Sequence, residues 1–235
     1  VRSNLVIAGS NFIFSHINEK YLKYFNLKKK FLVIFRGINV NYFDPTTTLE
    51  LDENQLLKNW GLNREKKIIL LPGRLTPWKG QEVFIESLNL INKKLGYNSF
   101  YAVILGSDQG RNVYTKKIKR LSEQYRLTAQ IKFIEHCRNM PLAYKISDLV
   151  VSASIKPESF GRVAVEAQAM ERVIIASDIG GSNETIENNK TGFLFISGDA
   201  ESLCRKIIQA LNLDESKLKS MGIEGRKNII KKFNV

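Results

Sequence analysis

The chain is poor in the residues that define several protein classes. Its 235 residues include two cysteines, Cys137 and Cys204, which lie far apart and form no Cys-x-x-Cys pair. Its two histidines, His16 and His136, are too few and too scattered for a metal site. No apolar run approaches the roughly 20 residues that a membrane-spanning helix needs, and none near the start resembles a secretory signal. These absences argue against a disulfide-stapled scaffold or a membrane span, and they predict free thiols in a reducing cytoplasm.

Acidic residues are also scarce relative to basic ones. The chain has 36 Lys and Arg against 23 Asp and Glu, which gives a formal net charge of +13. Such a balance can indicate nucleic acid, an anionic membrane surface or an anionic substrate as partner. The basic run at residues 116–120 is expected on the solvent side of a helix. Because no aromatic interleaving and no zinc or helix-turn-helix signature accompanies it, we expect no nucleic acid as partner. A solvated helix face is the ordinary interpretation of such a run, and a peripheral contact with an anionic membrane stays open.

Short apolar runs alternate with helix-like segments after residue 46, and this alternation predicts the fold class. One segment repeats Tyr114, Ile118, Leu121 and Tyr125 at helical spacing, as a single apolar face. Strand–helix alternation with short connections predicts an α/β domain with a doubly wound, Rossmann-like parallel sheet. The predicted strands are residues 67–71, 100–105, 131–134, 149–152, 173–176 and 192–195.

The pattern divides the chain into two parts. Residues 46–235 are long enough for one complete doubly wound unit. Within them, residues 46–64 are expected to form a linker with a short amphipathic helix. Residues 1–45 are expected to be a separate, incomplete piece whose apolar runs, residues 5–8 and 31–35, pack elsewhere or lie exposed.

The most distinctive segment carries two carboxylates eight positions apart, Glu158 and Glu166. Glu158 lies in a loop between a proline and a glycine, whereas Glu166 lies in an Ala-rich run that predicts a buried helix. A buried Glu is rare unless it is hydrogen-bonded. Two carboxylates beside a helix N-terminus can hold a phosphate-bearing, polyhydroxylated ligand. The alternative is an ordinary helix with a capping Glu and one partnered buried Glu.

A second segment, residues 73–80, follows the predicted strand 67–71 and contains two cations, Arg74 and Lys79. Ligands of open α/β sheets bind at the carboxyl ends of parallel strands. Fixed cations at that edge suit a diphosphate. The alternative is a solvated turn with two exposed cations.

Together these segments resemble the C-terminal half of a GT-B-fold glycosyltransferase of family 4, the retaining group 1 enzymes. The resemblance runs from about residue 4 to about residue 233. The chain departs from the family pattern at Asn39, where Asp is usual, at Glu171, where Gly is usual, and at Val173, where Pro is usual. The matching segments, in the family's order, are residues 34–45, 73–80, 103–106, 157–170, 175–184 and 191–194.

The resemblance implies a role for each matching residue. Arg74 and Lys79, in the loop that begins at Gly73, match the pair that holds the donor diphosphate. Glu158 matches the carboxylate that meets hydroxyls of the transferred sugar, and Glu166 matches the one that meets the nucleotide ribose. By this resemblance the catalytic residues are Arg74, Lys79 and Glu158. Glu158 is expected to orient the sugar rather than attack it, although a nucleophilic role stays open.

Further residues match the donor-binding loop of the family. Phe160, Gly161 and Arg162 match the stretch whose backbone amides approach the donor. Residues 135–138 match a segment near the nucleotide base. The resemblance also implies that the site holds no metal and no other cofactor besides the nucleotide-sugar substrate.

The implied function is transfer of a sugar, with retention, from a nucleotide-sugar to a glycan or lipid-linked acceptor. Synthesis of cell-envelope polysaccharide or lipopolysaccharide is the expected setting, in the cytoplasm or at the inner face of the membrane. In the resembled enzymes an N-terminal domain binds the acceptor, and the resemblance implies that residues 1–45 are a remnant of that domain together with the interdomain connection. We therefore expect the isolated 235-residue chain to be inactive without such a domain as partner.

Other functions remain open from the sequence. The chain could be a non-catalytic nucleotide-binding module with the same fold. Within the fold, an epimerase or a phosphorylase is the other alternative. A phosphorylase would need a lysine in a pyridoxal-phosphate context, which we do not see.

Overall fold

The computed structural model of the chain describes residues 5–21, 30–96 and 100–235, in which two parallel sheets form. The smaller sheet pairs β1 (Leu5–Ala8) with β2 (Lys30–Val33), and helix α1 (Asn11–Tyr21) lies between them in sequence. Ile7 and Leu32 face each other in this pairing and are 56% and 50% exposed. Of the two outcomes expected for these runs, packing elsewhere or exposure, alternate residues show exposure, whereas Ala8 is buried. The expected boundary at residue 45 stays a prediction.

The larger sheet has six parallel strands in the order β5-β4-β3-β6-β7-β8. The chain moves outward from β3 to β5, returns to β6 beside β3, and then moves outward in the other direction. The predicted strands and the observed ones agree to within one residue at each end. The strands are β3 (Lys67–Pro72), β4 (Phe100–Leu105), β5 (Ile131–Ile134), β6 (Leu149–Ser152), β7 (Val173–Ser177) and β8 (Gly192–Phe195).

Helices cover both faces of this sheet. Along β3, Ile69 and Leu71 pack into the layer that contains α3, α4 and α8, whereas Ile68 and Leu70 pack into the layer that contains α2, α5, α6 and α9. Burial on both faces explains why the strands are continuous apolar runs. The helices are α2 (Glu50–Trp60), α3 (Gln81–Leu95), α4 (Asn112–Gln124), α5 (Met140–Lys145), α6 (Arg162–Ala169), α7 (Ser182–Thr185), α8 (Ala200–Leu211) and α9 (Glu215–Phe233).

The amphipathic pattern of α4 is confirmed by its burial. Tyr114 and Ile118 are buried against the sheet, and the charged residues between positions 116 and 120 are exposed. The helix expected within residues 46–64 is α2, which also buries Leu57 and Trp60 in the core. The linker prediction did not include this packing. Along the described ranges, no helix combines the length and apolar character required to cross a lipid bilayer.

Two departures from the family pattern lie in turns, and both are accommodated. The Asn39 side-chain oxygen accepts hydrogen bonds from the backbone amides of Asn41 and Tyr42, at 3.0 and 3.1 Å. An Asp would accept the same bonds. Glu171 has a left-handed backbone with φ of 56°. Glycine adopts this conformation without strain, which explains why the family usually has Gly where this chain has Glu171.

Helix α9 fixes the segment that precedes α2. The Arg226 guanidinium donates to the Phe43 carbonyl at 2.7 Å, to the Ala169 carbonyl, and to Asp44 Oδ2 at 3.2 Å. Hydrogen bonds from Thr46, together with the charge of Arg226, lower the pKa of Asp44 below its ordinary value. The partly buried Arg226 side chain therefore connects residues 43 and 44 to the end of α6.

A contact between distant elements joins the two sheets. Both carboxylate oxygens of Glu184, in α7, accept hydrogen bonds from the N-terminus of α1. Oε2 accepts from the Asn11 backbone and side-chain amides, each at 2.8 Å, and Oε1 accepts from the Phe12 amide at 2.7 Å. Glu184 thus supplies the cap for a helix 173 positions earlier in the chain.

Candidate functional site

A cleft of about 900 Å³ opens where the chain changes direction across the large sheet, beside the end of β3. Ligands bind in crevices at such switch points of open α/β sheets. The cleft is lined by residues from three segments, 36–43, 72–79 and 158–166, and by Met140 and Tyr144 of α5. All eight residues expected at the site lie in this lining: Gly73, Arg74, Lys79, Glu158, Phe160, Gly161, Arg162 and Glu166.

The loop after β3 places both cations beside one aromatic ring. The Lys79 ammonium lies 4.5 Å from the centroid of the Trp78 ring, and the Arg74 guanidinium lies 5.6 Å from it. Within the described ranges the Arg74 guanidinium has no hydrogen-bonding partner. Trp78 was not identified from the sequence as a site residue, although its position between the two cations was a signal.

Lys79 and Glu158 form an ion pair inside the cleft. Lys79 Nζ lies 2.7 Å from Glu158 Oε1, and the two side chains are 14% and 15% exposed. The Ser154 hydroxyl, at the end of β6, donates to the same oxygen. The other oxygen, Oε2, accepts no hydrogen bond from the described part of the chain. The carboxylate is therefore held by one oxygen and retains acceptor capacity at the other.

Two consecutive glycines hold the backbone of Glu158 in place. The Gly181 amide donates to the Glu158 carbonyl at 2.8 Å. Gly180 has φ of 62°, and a Cβ at this position would lie 2.6 Å from the Glu158 carbonyl oxygen. A side chain at Gly180 is therefore disfavoured both by its backbone conformation and by contact with the loop. The Gly180-Gly181 pair therefore determines how closely the loop of Glu158 packs against the segment that precedes α7.

Helix α6 presents its N-terminus to the cleft. It follows Gly161, whose φ is 81°, and no side chain caps it. Gly161, Arg162 and Val163 all line the cleft. The first amides of a helix lack intrahelical partners, and the helix dipole favours negative charge there. The arrangement is suited to phosphate oxygens.

Glu166 lies in α6 and is 8% exposed. Its Oε2 accepts a hydrogen bond from the Tyr144 hydroxyl at 2.8 Å, and its Oε1 accepts one from the Arg162 guanidinium at 2.8 Å. The prediction of a buried helix carrying a partnered Glu is confirmed. Burial, and then the nearby carboxylate, raise the pKa of Tyr144 well above its ordinary value, so this phenol remains a donor.

The remaining expectations about the site concern the base and metals. Residues 135–138 are not among the lining residues, and Met140 lines the cleft instead.

Neither Cys137 nor Cys204 forms a disulfide, and burial raises the pKa of both thiols. Over residues 5–21, 30–96 and 100–235, no group of three or more His, Cys, Asp or Glu could hold a metal ion. Metal-independent chemistry stays a prediction.

Comparison with known proteins identifies the family. The family model for glycosyl transferases group 1 matches residues 52–228, about three quarters of the chain. The chain therefore belongs to the group 1 glycosyltransferase family. It is 29% identical over 210 residues to the capsular polysaccharide biosynthesis glycosyltransferase CapM of Staphylococcus aureus. That alignment covers 89% of this chain and 53% of CapM. The chain spans about half the length of the curated relatives it matches.

Solved structures agree with this membership. A glycosyltransferase from Rickettsia africae superposes with a TM-score of 0.91 at 35% identity, over 98% of this chain and 59% of that one. Anabaena HepE superposes with a TM-score of 0.86 at 25% identity, over 99% of this chain and 60% of that one. HepE was solved with UDP and glucose and with UDP-glucose. The predicted family and α/β fold of the GT-B type are confirmed.

Proposed function

We propose that the chain is the donor-binding part of a glycosyltransferase that uses a nucleoside-diphosphate sugar. The observation that carries the proposal is the gathering of Arg74, Lys79, Glu158, Glu166 and the uncapped end of α6 in one cleft. Two cations and a helix N-terminus suit a diphosphate, and two carboxylates suit hydroxyls on either side of it. The UDP-glucose found in HepE supports this choice of ligand.

In this proposal the chemistry is electrostatic. Negative charge develops on the diphosphate as its bond to the sugar breaks. Arg74, Lys79 and the amides at Gly161 and Arg162 stabilise that charge, and fixed donors that need no reorganisation are effective in this role. Glu158 orients the sugar through the oxygen that carries no hydrogen bond from the described residues.

The finer parts of the proposal concern stereochemistry and acceptor. The family resemblance supports retention of configuration and a reaction without a metal ion. The name of CapM supports a role in the synthesis of a cell-envelope polysaccharide, whereas a lipid-linked acceptor and lipopolysaccharide synthesis rest on the family resemblance alone. The exposed basic residues of α4 support a peripheral contact with an anionic membrane, for which we propose the cytoplasmic, inner face.

The acceptor side of the cleft is proposed to come from a further domain. The apolar face of β1 and β2, with Leu5, Ile7, Leu32 and Ile34 each more than two fifths exposed, suits packing against another layer. The relatives are also about twice as long as this chain. Transfer needs donor and acceptor held together in a water-poor cleft. The second candidate function, a non-catalytic nucleotide-binding module, would use the same cleft without that domain.

Calorimetry with UDP, GDP, ADP and CDP tests the donor site. We expect at least one of them to bind the chain. Arg74→Ala should weaken that binding by about 1.5–3 kcal/mol, the usual contribution of a hydrogen bond to a charged group. Arg120→Ala, which removes an exposed cation of α4 outside the cleft, is the matched control. Folded protein that gives no heat with any of the four nucleotides would overturn the donor-site assignment.

An assay of sugar transfer tests the requirement for a further domain. The 235-residue chain is mixed with nucleotide-sugars and a lipid extract, and released nucleoside diphosphate is measured. We expect no turnover from the chain alone. Sustained turnover would refute both the need for a further domain and the non-catalytic alternative.

A further inference from the structure

Tyr144 is a fully buried residue of α5 that lies at the wall of the cleft, and its hydroxyl is directed at Glu166. Its ring packs edge-on against Phe43, with 6.2 Å between centroids. Its hydroxyl donates to Glu166 Oε2 at 2.8 Å. Because the ring is enclosed and the phenol stays protonated, this hydrogen bond is a fixed feature of the site.

The two oxygens of Glu166 are held very differently. Oε2 is held by the buried Tyr144, whereas Oε1 is held by Arg162, whose side chain is 69% exposed. Both hydrogen bonds involve a charged carboxylate, but water can reach the exposed Arg162 guanidinium and replace its bond to Oε1 at little cost. Water cannot do the same for the buried Tyr144 hydroxyl, so breaking its bond would leave a buried donor without a partner. An incoming hydroxyl group can therefore displace Arg162 from Oε1, but not Tyr144 from Oε2.

We propose that Tyr144 is a positioning residue that turns Glu166 Oε1 toward the ribose hydroxyls of the donor. By occupying Oε2, it fixes the plane of the carboxylate and leaves one defined acceptor for the ligand. The inference rests on the proposed function, because it assumes that a nucleotide occupies the cleft. It adds a residue outside the set matched to the family, which acts on ribose recognition through Glu166.

The test compares ribose recognition before and after removal of the Tyr144 hydroxyl. Calorimetry measures the dissociation constants of the tightest-binding nucleoside diphosphate among UDP, GDP, ADP and CDP and of its 2′,3′-dideoxy form. We expect the native chain to prefer the ribose form by about 10-fold or more, as one charge-assisted hydrogen bond provides. Tyr144→Phe should reduce this preference at least about threefold, because the carboxylate is free to rotate.

Tyr114→Phe is the matched control. Tyr114 is also buried and donates to Gln81 Oε1 at 3.3 Å, but it lies outside the cleft. The Tyr114→Phe variant should lose a buried hydrogen bond without any change in its preference for the ribose form of the nucleotide. An unchanged preference in Tyr144→Phe, or an equal loss of affinity for both ligand forms, would show that Tyr144 is only structural and would overturn the inference.

A second comparison keeps the inference testable if Tyr144→Phe does not fold because the buried charge of Glu166 has lost its hydroxyl donor. Glu166→Gln is compared with the double variant Tyr144→Phe/Glu166→Gln, in which both partners of the hydrogen bond are changed and no charge remains at position 166. If Tyr144 acts through Glu166, the two variants should have the same ribose preference. A further loss in the double variant would overturn the inference. Absence of any nucleotide binding by the native chain would instead overturn the proposed function, and this inference with it.

Discussion

Removing the charge of Glu158 should strengthen the binding of a free nucleoside diphosphate. Lys79 Nζ lies 2.7 Å from Glu158 Oε1, and the two side chains are 14% and 15% exposed. A diphosphate that binds Lys79 must first take the ammonium from this carboxylate. Glu158→Gln leaves an amide oxygen, which holds Lys79 less firmly than a carboxylate does.

The size of the effect follows from that exchange. A hydrogen bond to a charged group contributes about 1.5–3 kcal/mol, and the neutral amide recovers part of it. We therefore expect the affinity for the nucleoside diphosphate to rise by about 3- to 10-fold, or about 0.7–1.4 kcal/mol. The intact nucleotide-sugar should gain less or lose affinity, because its sugar hydroxyls no longer meet a charged acceptor.

Calorimetry with both ligands measures the two effects separately. The matched control is Glu187→Gln, which removes the same charge from a carboxylate paired with Lys190 and Lys232 at 2.7 and 3.1 Å. Glu187 lies outside the cleft, so this variant should change neither affinity. If nucleoside diphosphate affinity falls or stays constant in Glu158→Gln, the reasoning about Lys79 is refuted.

Two further predictions concern stability. Gly180→Ala should lower the free energy of unfolding by more than about 2 kcal/mol, because a left-handed backbone is combined with a contact against the Glu158 carbonyl. Gly198→Ala is the control: its φ is 78° but the space around it is open, so it should lower the free energy by only about 1 kcal/mol. Chemical unfolding measures both. Asp44→Asn should lower the melting temperature at pH 7, because the folded-state pKa of Asp44 lies below its ordinary value of 3.8. The ionised carboxylate therefore contributes to stability above that pH, and this contribution is lost as the pH falls through the folded-state pKa. The melting temperatures of Asp44→Asn and the native chain should converge toward pH 3, and a constant difference would contradict this.

The strands could be predicted because each is buried on both faces. Parallel strands covered by helices on both sides are nearly continuous apolar runs, as at Lys67–Pro72 and Phe100–Leu105. The buried environment of Glu166 was predictable for a similar reason, since its neighbours along α6 are apolar. The positions of Arg74 and Lys79 followed from where loops lie in such sheets.

The partners of the site residues could not be predicted, because they come from elements far apart in sequence. Lys79 and Glu158 are 79 positions apart, and Tyr144 and Glu166 are 22 apart. Nothing in the local pattern of α5 distinguishes Tyr144 from any other core residue. The pairing of Asn11 with Glu184 depends on how the two sheets are placed, which no local periodicity encodes.

Glu184 connects the two sheets through its side chain and its backbone. Its carboxylate accepts three hydrogen bonds from Asn11 and Phe12 at the start of α1. Its backbone belongs to α7, which directly follows the glycines that touch the backbone of Glu158. A continuous series of contacts thus connects α1, through α7 and the two glycines, to the loop that carries Glu158.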